Sequence, residues 1–146
     1  MSSQQSANFD FLKAEFSLLH NLCLQAEYYL YTDPDAALAK LRLYGEKVSD
    51  ELCQIHFRNA YDHDKQHNRI RQLSDNRILP PTIVNLFNNI RLKGNDAIHK
   101  GQSTRGKATS ALSSAFSLAK WMVDTYGDKV PAVSYTHLTL PTKRIV

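Results

Sequence analysis

Cysteine is scarce in this chain, with two among 146 residues, Cys23 and Cys53, each inside an apolar helical pattern. Neither has a second cysteine at metal-ligand spacing, so no metal is expected and both read as core thiols in a reducing compartment. Long apolar runs are missing too: no stretch approaches the roughly 18 residues a membrane span needs, and no membrane partner is expected. The opening Met1-Ser2-Ser3-Gln4-Gln5-Ser6 is polar and lacks the basic-then-apolar order of a secretory signal, which makes a cytoplasmic location the default. Charge of one sign is in small excess. The formal net charge is +4, and it falls to +2 without Lys143 and Arg144, so charge alone lends weak support to nucleic-acid binding. There is no phosphate-binding glycine loop, no Gly-x-Ser-x-Gly elbow and no His-Glu-x-x-His helix. These absences argue against a self-contained enzyme of any common motif-bearing class, and no cofactor is expected.

What the chain does have is helical periodicity. Its length suits one domain with a real core. The first periodic segment runs from about Asn8 to Tyr31, with Leu12, Phe16, Leu19, Cys23, Ala26 and Leu30 at steps of three and four. Thr32-Asp33-Pro34 ends it, with Asp33 placed to cap the next helix and Pro34 suited to its first turn. That second helix, from about Pro34 to Arg58, carries Leu38, Leu41, Gly45, Val48, Leu52 and Ile55 on one stripe. Gly45 costs about 1 kcal/mol of helix propensity, which points to a close helix crossing there. Residues 59–79 are polar and weakly patterned, with a short helix expected near Asp64–Ser74 on Ile70 and Leu73. Pro80-Pro81 breaks the chain before a fourth helix to about His99, on Ile83, Phe87, Ile90, Gly94 and Ala97. Gly101 to Gly106 reads as a connector, and a fifth helix spans about Lys107 to Tyr126 on Ala108, Leu112, Ala115, Ala119 and Met122, with Gly127 as its stop. The expected fold is all-α, an up-and-down bundle of about five helices over residues 8–127. Residues 1–7 read as a disordered N-terminus and 128–146 as a tail, vector-derived from about Val133, where the helical period stops and Pro141 enters.

The end of the fourth helix holds the one constellation of chemical interest. Arg91, Asn95 and His99 recur every four residues, so they climb one broad helix side. An Arg, an amide and a His so aligned could bind a phosphate and supply an acid or base. The alternative is a solvated face with His99 capping the helix end. Arg42 and Glu46 form an i,i+4 pair in the less favourable order, worth only tenths of a kcal/mol if solvated. Because they flank Gly45, a polar contact across the helix crossing is the other reading. His63 and His67 share an i,i+4 spacing, but a metal site would need further ligands.

At these places the sequence resembles a known family. Asp33-Pro34-Asp35-Ala36-Ala37-Leu38 followed by Arg42 and Glu46 is similar to the second helix of the DUF4145 family. Gly94-Asn95-Asp96-Ala97-Ile98-His99 is similar to that family's Gly-Asn-x-x-x-His helix end. Order and spacing also agree, with a closing helix containing Trp121, and the resemblance covers about residues 8–127. It implies a bundle like those of the wider HEPN superfamily and a place at the N-terminus of type I restriction R subunits, ahead of nuclease and motor domains. Asn8-Phe9-Asp10-Phe11-Leu12 is similar to how such subunits begin. Ribonucleolytic HEPN proteins carry an Arg and a His separated by four to six residues. Here Gly94 precedes Asn95, and Arg91 has seven residues between it and His99, one too many. The resemblance therefore implies an accessory role in assembly or nucleic-acid contact, with Arg42, Glu46, Arg91, Lys93, Asn95, His99 and Lys100 as candidate contact residues. Its partners would be other domains and subunits of a restriction complex, DNA or RNA, or a second copy in a homodimer. The alternatives are a stand-alone HEPN-type ribonuclease or toxin-like protein acting through His99, Asn95 and Arg91, and a generic helical interaction module.

Overall fold

Asp33 and Pro34 show how the chain reverses between its first two helices. In the computed structural model the Asp33 carboxylate accepts from the Ala36 N–H at 3.1 Å, and Pro34 sits in the first turn, where its missing N–H leaves no bond unmade. The structure describes the backbone of residues 6–100 and 105–127 and the side chains of residues 6–95 and 105–127. Within them lie a 3₁₀ turn at Asp10–Leu12 and five helices: α1 (Ser17–Tyr29), α2 (Pro34–Phe57), α3 (Gln66–Asp75), α4 (Pro81–Lys100) and α5 (Arg105–Tyr126). Among the described residues there is no strand, and no helix is long and apolar enough to cross a membrane. The tail from Val133 lies outside the described residues, as does most of the expected connector; its Arg105 and Gly106 instead open α5.

The apolar stripes become one core. Leu12, Leu19, Cys23, Ala26, Leu38, Leu41, Val48 and Leu52 are buried, as are Phe87 and Ile90 of α4 and the small-residue face of α5. Helix α2 is central and packs against all four other helices. Gly45 and Arg42 meet Ile90 and Gly94 in reversed order, so α2 and α4 are antiparallel. Tyr44 donates to the Ala115 carbonyl at 3.0 Å and His56 pairs with Tyr126 at 2.6 Å, so α5 runs alongside α2 in the same sense. The four long helices thus form an up-and-down bundle. Alanines at 108, 111, 115 and 119 keep α5 thin enough for the buried Tyr44 ring to reach its backbone.

Three local expectations need correction. The first helix starts at Ser17 rather than near Asn8, because Phe16 leaves helical geometry at φ −128° and ψ 57°. Before it, Phe9 and Phe11 both stand edge-on to Phe116 of α5, at 6.0 and 6.2 Å, a placement a continuous helix would not allow. Ile55, expected on the buried stripe, is 46% exposed. Cys53 replaces it inside, because this end of α2 turns toward α3, where the Cys53 thiol lies 3.9 Å from the Arg69 carbonyl. Helix α3 starts two residues late, since the Asp62 carboxylate accepts from the Asp64 and Lys65 N–H groups at 2.8 and 3.1 Å and holds that stretch as a turn. It ends with Arg77 at φ 60° and the Ile78 N–H bonded back to Leu73 at 2.9 Å, a Schellman closure built on arginine instead of glycine.

Candidate functional site

The two stretches that carry the family-like pattern are 52 residues apart in sequence between Arg42 and Gly94, and the α2–α4 crossing brings them together. A methyl group placed on Gly94 would lie 3.0 Å from Arg42 Cβ, 3.1 Å from Cδ and 3.3 Å from Cγ. The aliphatic stem of Arg42 therefore lies flat against the backbone of α4, as long cationic side chains do when they cover apolar surface. A methyl on Gly45 would meet Gln66 Nε2 at 3.4 Å and Ile90 Cγ2 at 3.6 Å, which is ordinary contact. The tight approach expected at Gly45 is made instead at Gly94, whose helix meets a side chain that cannot retreat at its Cβ.

The remaining candidate residues divide. Arg91 faces α3 across a cleft of about 240 Å³, with His67 and Arg71 on the opposite wall. Asn95 is half-buried one turn further along α4, and Lys93 is half-buried on the other side of that helix. The side chains of His99 and Lys100 lie outside the described residues. Glu46 lines a separate cleft of about 300 Å³ together with Leu43, Asp50 and Arg69. Among the described residues no ion pair joins it to Arg42. His63 and His67 part company. The His63 ring lies 4.2 Å from the Tyr61 ring, while His67 accepts from Arg71 at 2.6 Å. Among the described residues no three His, Cys, Asp or Glu side chains gather around a possible cation.

Four residues invisible as special in the sequence organise the surroundings. Arg69 is buried and donates from Nε to Ser49 Oγ at 2.9 Å, and from its other nitrogens to the carbonyls of Asp62, His63 and Glu46 at 3.2, 3.2 and 3.4 Å. It pins the loop after α2, and α3 with it, onto α2. Its neighbour Tyr61 donates to the Asp50 carboxylate at 2.9 Å; burial first, and that carboxylate second, push the phenol up to about 12. Asn89 reaches from α4 to α5, donating to Ser114 Oγ at 2.8 Å and Ser110 Oγ at 3.2 Å. Glu27, buried in α1, accepts from Ser6 Oγ, from the Ala7 N–H at 3.1 Å and from Asn8 Nδ2 at 2.7 Å. This clamp extends the ordered chain back through Ser6, into the stretch expected to be disordered. Burial raises the Glu27 carboxyl above its ordinary value, against the lowering effect of those bonds.

Both thiols are poor nucleophiles. Burial raises Cys23 well above the usual thiol range, with the Glu27 charge adding to it. Burial pushes Cys53 up to about 11, although the Arg69 guanidinium pulls it down. Neither supplies thiolate near neutral pH.

Over 115 residues the chain is 29% identical to the type I restriction enzyme EcoKI endonuclease subunit of Escherichia coli (strain K12). The match covers 79% of this chain and 10% of that subunit, so the chain spans about a tenth of the relative's length. No solved structure matches. Residues 25–125 match the model of a domain of unknown function, DUF4145, a span that takes in Arg42, Gly94, Asn95 and the whole α2–α4 crossing. The chain belongs to the DUF4145 family.

Proposed function

We propose that this chain is the N-terminal helical module of a type I restriction R subunit, serving assembly of the restriction complex or contact with its nucleic acid rather than catalysis. The observation that carries this reading is the 115-residue likeness to a restriction endonuclease subunit, a domain-sized share confined to a tenth of a much longer protein. The described side chains are consistent with it. Arg42 is occupied in packing along α4, both thiols are held protonated, and Arg91 lies open to a cleft rather than bonded inside the bundle. The partners are then other domains and subunits of the complex, in a cytoplasmic setting, and a homodimer through α2 and α4 is one form that assembly takes.

Reading the native gene past the codon for Ala132 tests the proposal directly. The frame is expected to run on into a nuclease and an ATP-driven motor; a stop codon between Gly127 and Ala132 overturns it. A second measurement separates accessory from catalytic roles. Purified wild-type protein incubated with RNA should leave it intact. Cleavage that disappears in His99→Ala while the helical fold survives would instead establish a HEPN-type ribonuclease.

A further inference from the structure

We infer that the cleft between α3 and α4 is a binding site for a phosphodiester, met as the backbone of single-stranded nucleic acid. The inference rests on the nucleic-acid arm of the proposed function and deepens it. From α3 the cleft receives Arg71 and His67; from α4 it receives Arg91 and Asn88; Ile70 and Phe87 form its apolar floor. Two guanidinium groups thus come from different helices onto one concavity. Each is a planar fork that matches phosphate oxygens. A tetrahedral phosphodiester turns oxygens toward both walls at once, whereas a single planar carboxylate is satisfied by one fork. That difference favours phosphate over an acidic peptide.

The internal partners leave this capacity open. Arg71 donates one N–H to His67 Nε2 at 2.6 Å; the arginine can only donate, so the imidazole nitrogen is the acceptor. That bond restrains the guanidinium and uses one of its five donors. Among the described residues no carboxylate pairs with either arginine within 4.0 Å. Asp75, at the α3 end of the cleft, is the one acid lining it, so two cationic groups face one anionic group. A cleft of about 240 Å³ is below the usual size of drug-sized pockets, roughly 300–1,000 Å³. It admits one nucleotide's phosphate and sugar, not a duplex. Ile70 and Val84, both half-buried on the cleft walls, offer apolar surface to a sugar or base face, which is accessible when the strand is unpaired.

Binding of a fluorescein-labelled single-stranded oligonucleotide to the full chain, followed by anisotropy across a salt titration, tests this. The variants are Arg71→Gln, Arg91→Gln and the double substitution, with Lys13→Ala, at an exposed site on the 3₁₀ turn, as the control. Because neither arginine is buried, circular dichroism should show all four folded. Each contact to a single strand contributes about 0.7 to the slope of log K against log salt, so the double variant should lower that slope by about 1.4 while Lys13→Ala leaves it unchanged. The proposal is overturned if the wild type does not bind at low salt, or if the double variant keeps the wild-type slope. It also fails if AMP or inorganic phosphate shifts the amide signals of α3 and α4 while the oligonucleotide does not, since the site then takes a free phosphate ester. Any of these failures leaves the reading-frame result untouched, so the cleft and the restriction-module reading stand or fall separately.

Discussion

The two interior glycines predict opposite effects of the same substitution. Alanine is better than glycine in a helix interior by about 1 kcal/mol, and this gain is available at both Gly45 and Gly94. At Gly45 the new methyl meets Gln66 Nε2 at 3.4 Å and Ile90 Cγ2 at 3.6 Å. The first is the far end of a flexible side chain and the second is at normal van der Waals distance. Gly45→Ala should therefore stabilise the protein by about 0.5–1 kcal/mol. At Gly94 the methyl lands 3.0 Å from Arg42 Cβ, an atom tied to the α2 backbone, so the two helices themselves must separate by a few tenths of an ångström. Overpacking of this kind costs about 1–3 kcal/mol, which outweighs the propensity gain and leaves Gly94→Ala destabilised by about 1 kcal/mol. The split of nearly 2 kcal/mol is well outside the error of urea unfolding followed by helical circular dichroism, and should appear as midpoints displaced to opposite sides of wild type with unchanged slope. If Gly94→Ala proves as stabilising as Gly45→Ala, the tight α2–α4 crossing described above is wrong. If Gly45→Ala destabilises, the crossing is centred where the sequence alone placed it.

Four further outcomes follow from named contacts. Arg69→Ala strips three backbone carbonyls and Ser49 Oγ of their buried donor; it should destabilise by about 2–4 kcal/mol and expose the loop before α3 to limited proteolysis. Arg77→Gly relieves a left-handed backbone at φ 60° and should stabilise by about 1 kcal/mol in the same urea assay, as glycine does at helix ends. For Glu27, burial raises the folded-state value above the unfolded one, so its contribution is fully present below the unfolded value near 4.5 and is lost as pH rises through the folded value; the stability of wild type relative to Glu27→Gln, measured by urea midpoints, should therefore increase as pH is lowered from 7 toward 5. Cys23 and Cys53, both buried and free, should resist a thiol-labelling reagent at pH 8 and react together only as the protein unfolds.

Much of the bundle was legible because its core is written in one period. The steps of three and four from Leu19 to Ala26, from Leu38 to Leu52 and from Ala108 to Met122 mark residues that end up buried on α1, α2 and α5, and Asp33 with Pro34 announces the start of α2. What stayed hidden depends on contacts distant in sequence. Ile55 has the right spacing for the core but falls where α2 has already turned toward α3, and only the path of residues 58–65 decides that. Arg69 looks like any arginine in a polar stretch; its burial follows from three carbonyls and a serine hydroxyl that converge only after α3 docks. Ser6 and Asn8 sit in a polar leader with no apolar period, and nothing local to them signals a buried carboxylate 19 residues beyond Asn8. Of the candidate site, the sequence marks Arg91 and Asn95 as sharing a face of α4, but not His67 and Arg71, because α3 is too short and polar for its orientation to show in a period.

The geometry also separates two roles that the family-like pattern runs together. A glycine followed by a polar Asn at the end of a helix invites reading as one ligand site, as does an arginine in the neighbouring helix. Yet Gly94 is accounted for by the stem of Arg42 alone, since any side chain there would strike atoms 3.0–3.3 Å away; no ligand is needed to explain it. Arg42, correspondingly, is explained by the cover its methylenes give to the α4 backbone. The pair is thus one packing unit spanning two distant stretches of sequence, and a substitution at either position tests stability before it tests binding. Arg91 and Arg71 carry no such packing burden: neither is buried, and both face a cleft rather than a backbone. Loss of nucleic-acid binding in Arg42→Ala would therefore be uninformative without a stability measurement, whereas loss in the Arg71→Gln, Arg91→Gln double variant reports on the cleft itself.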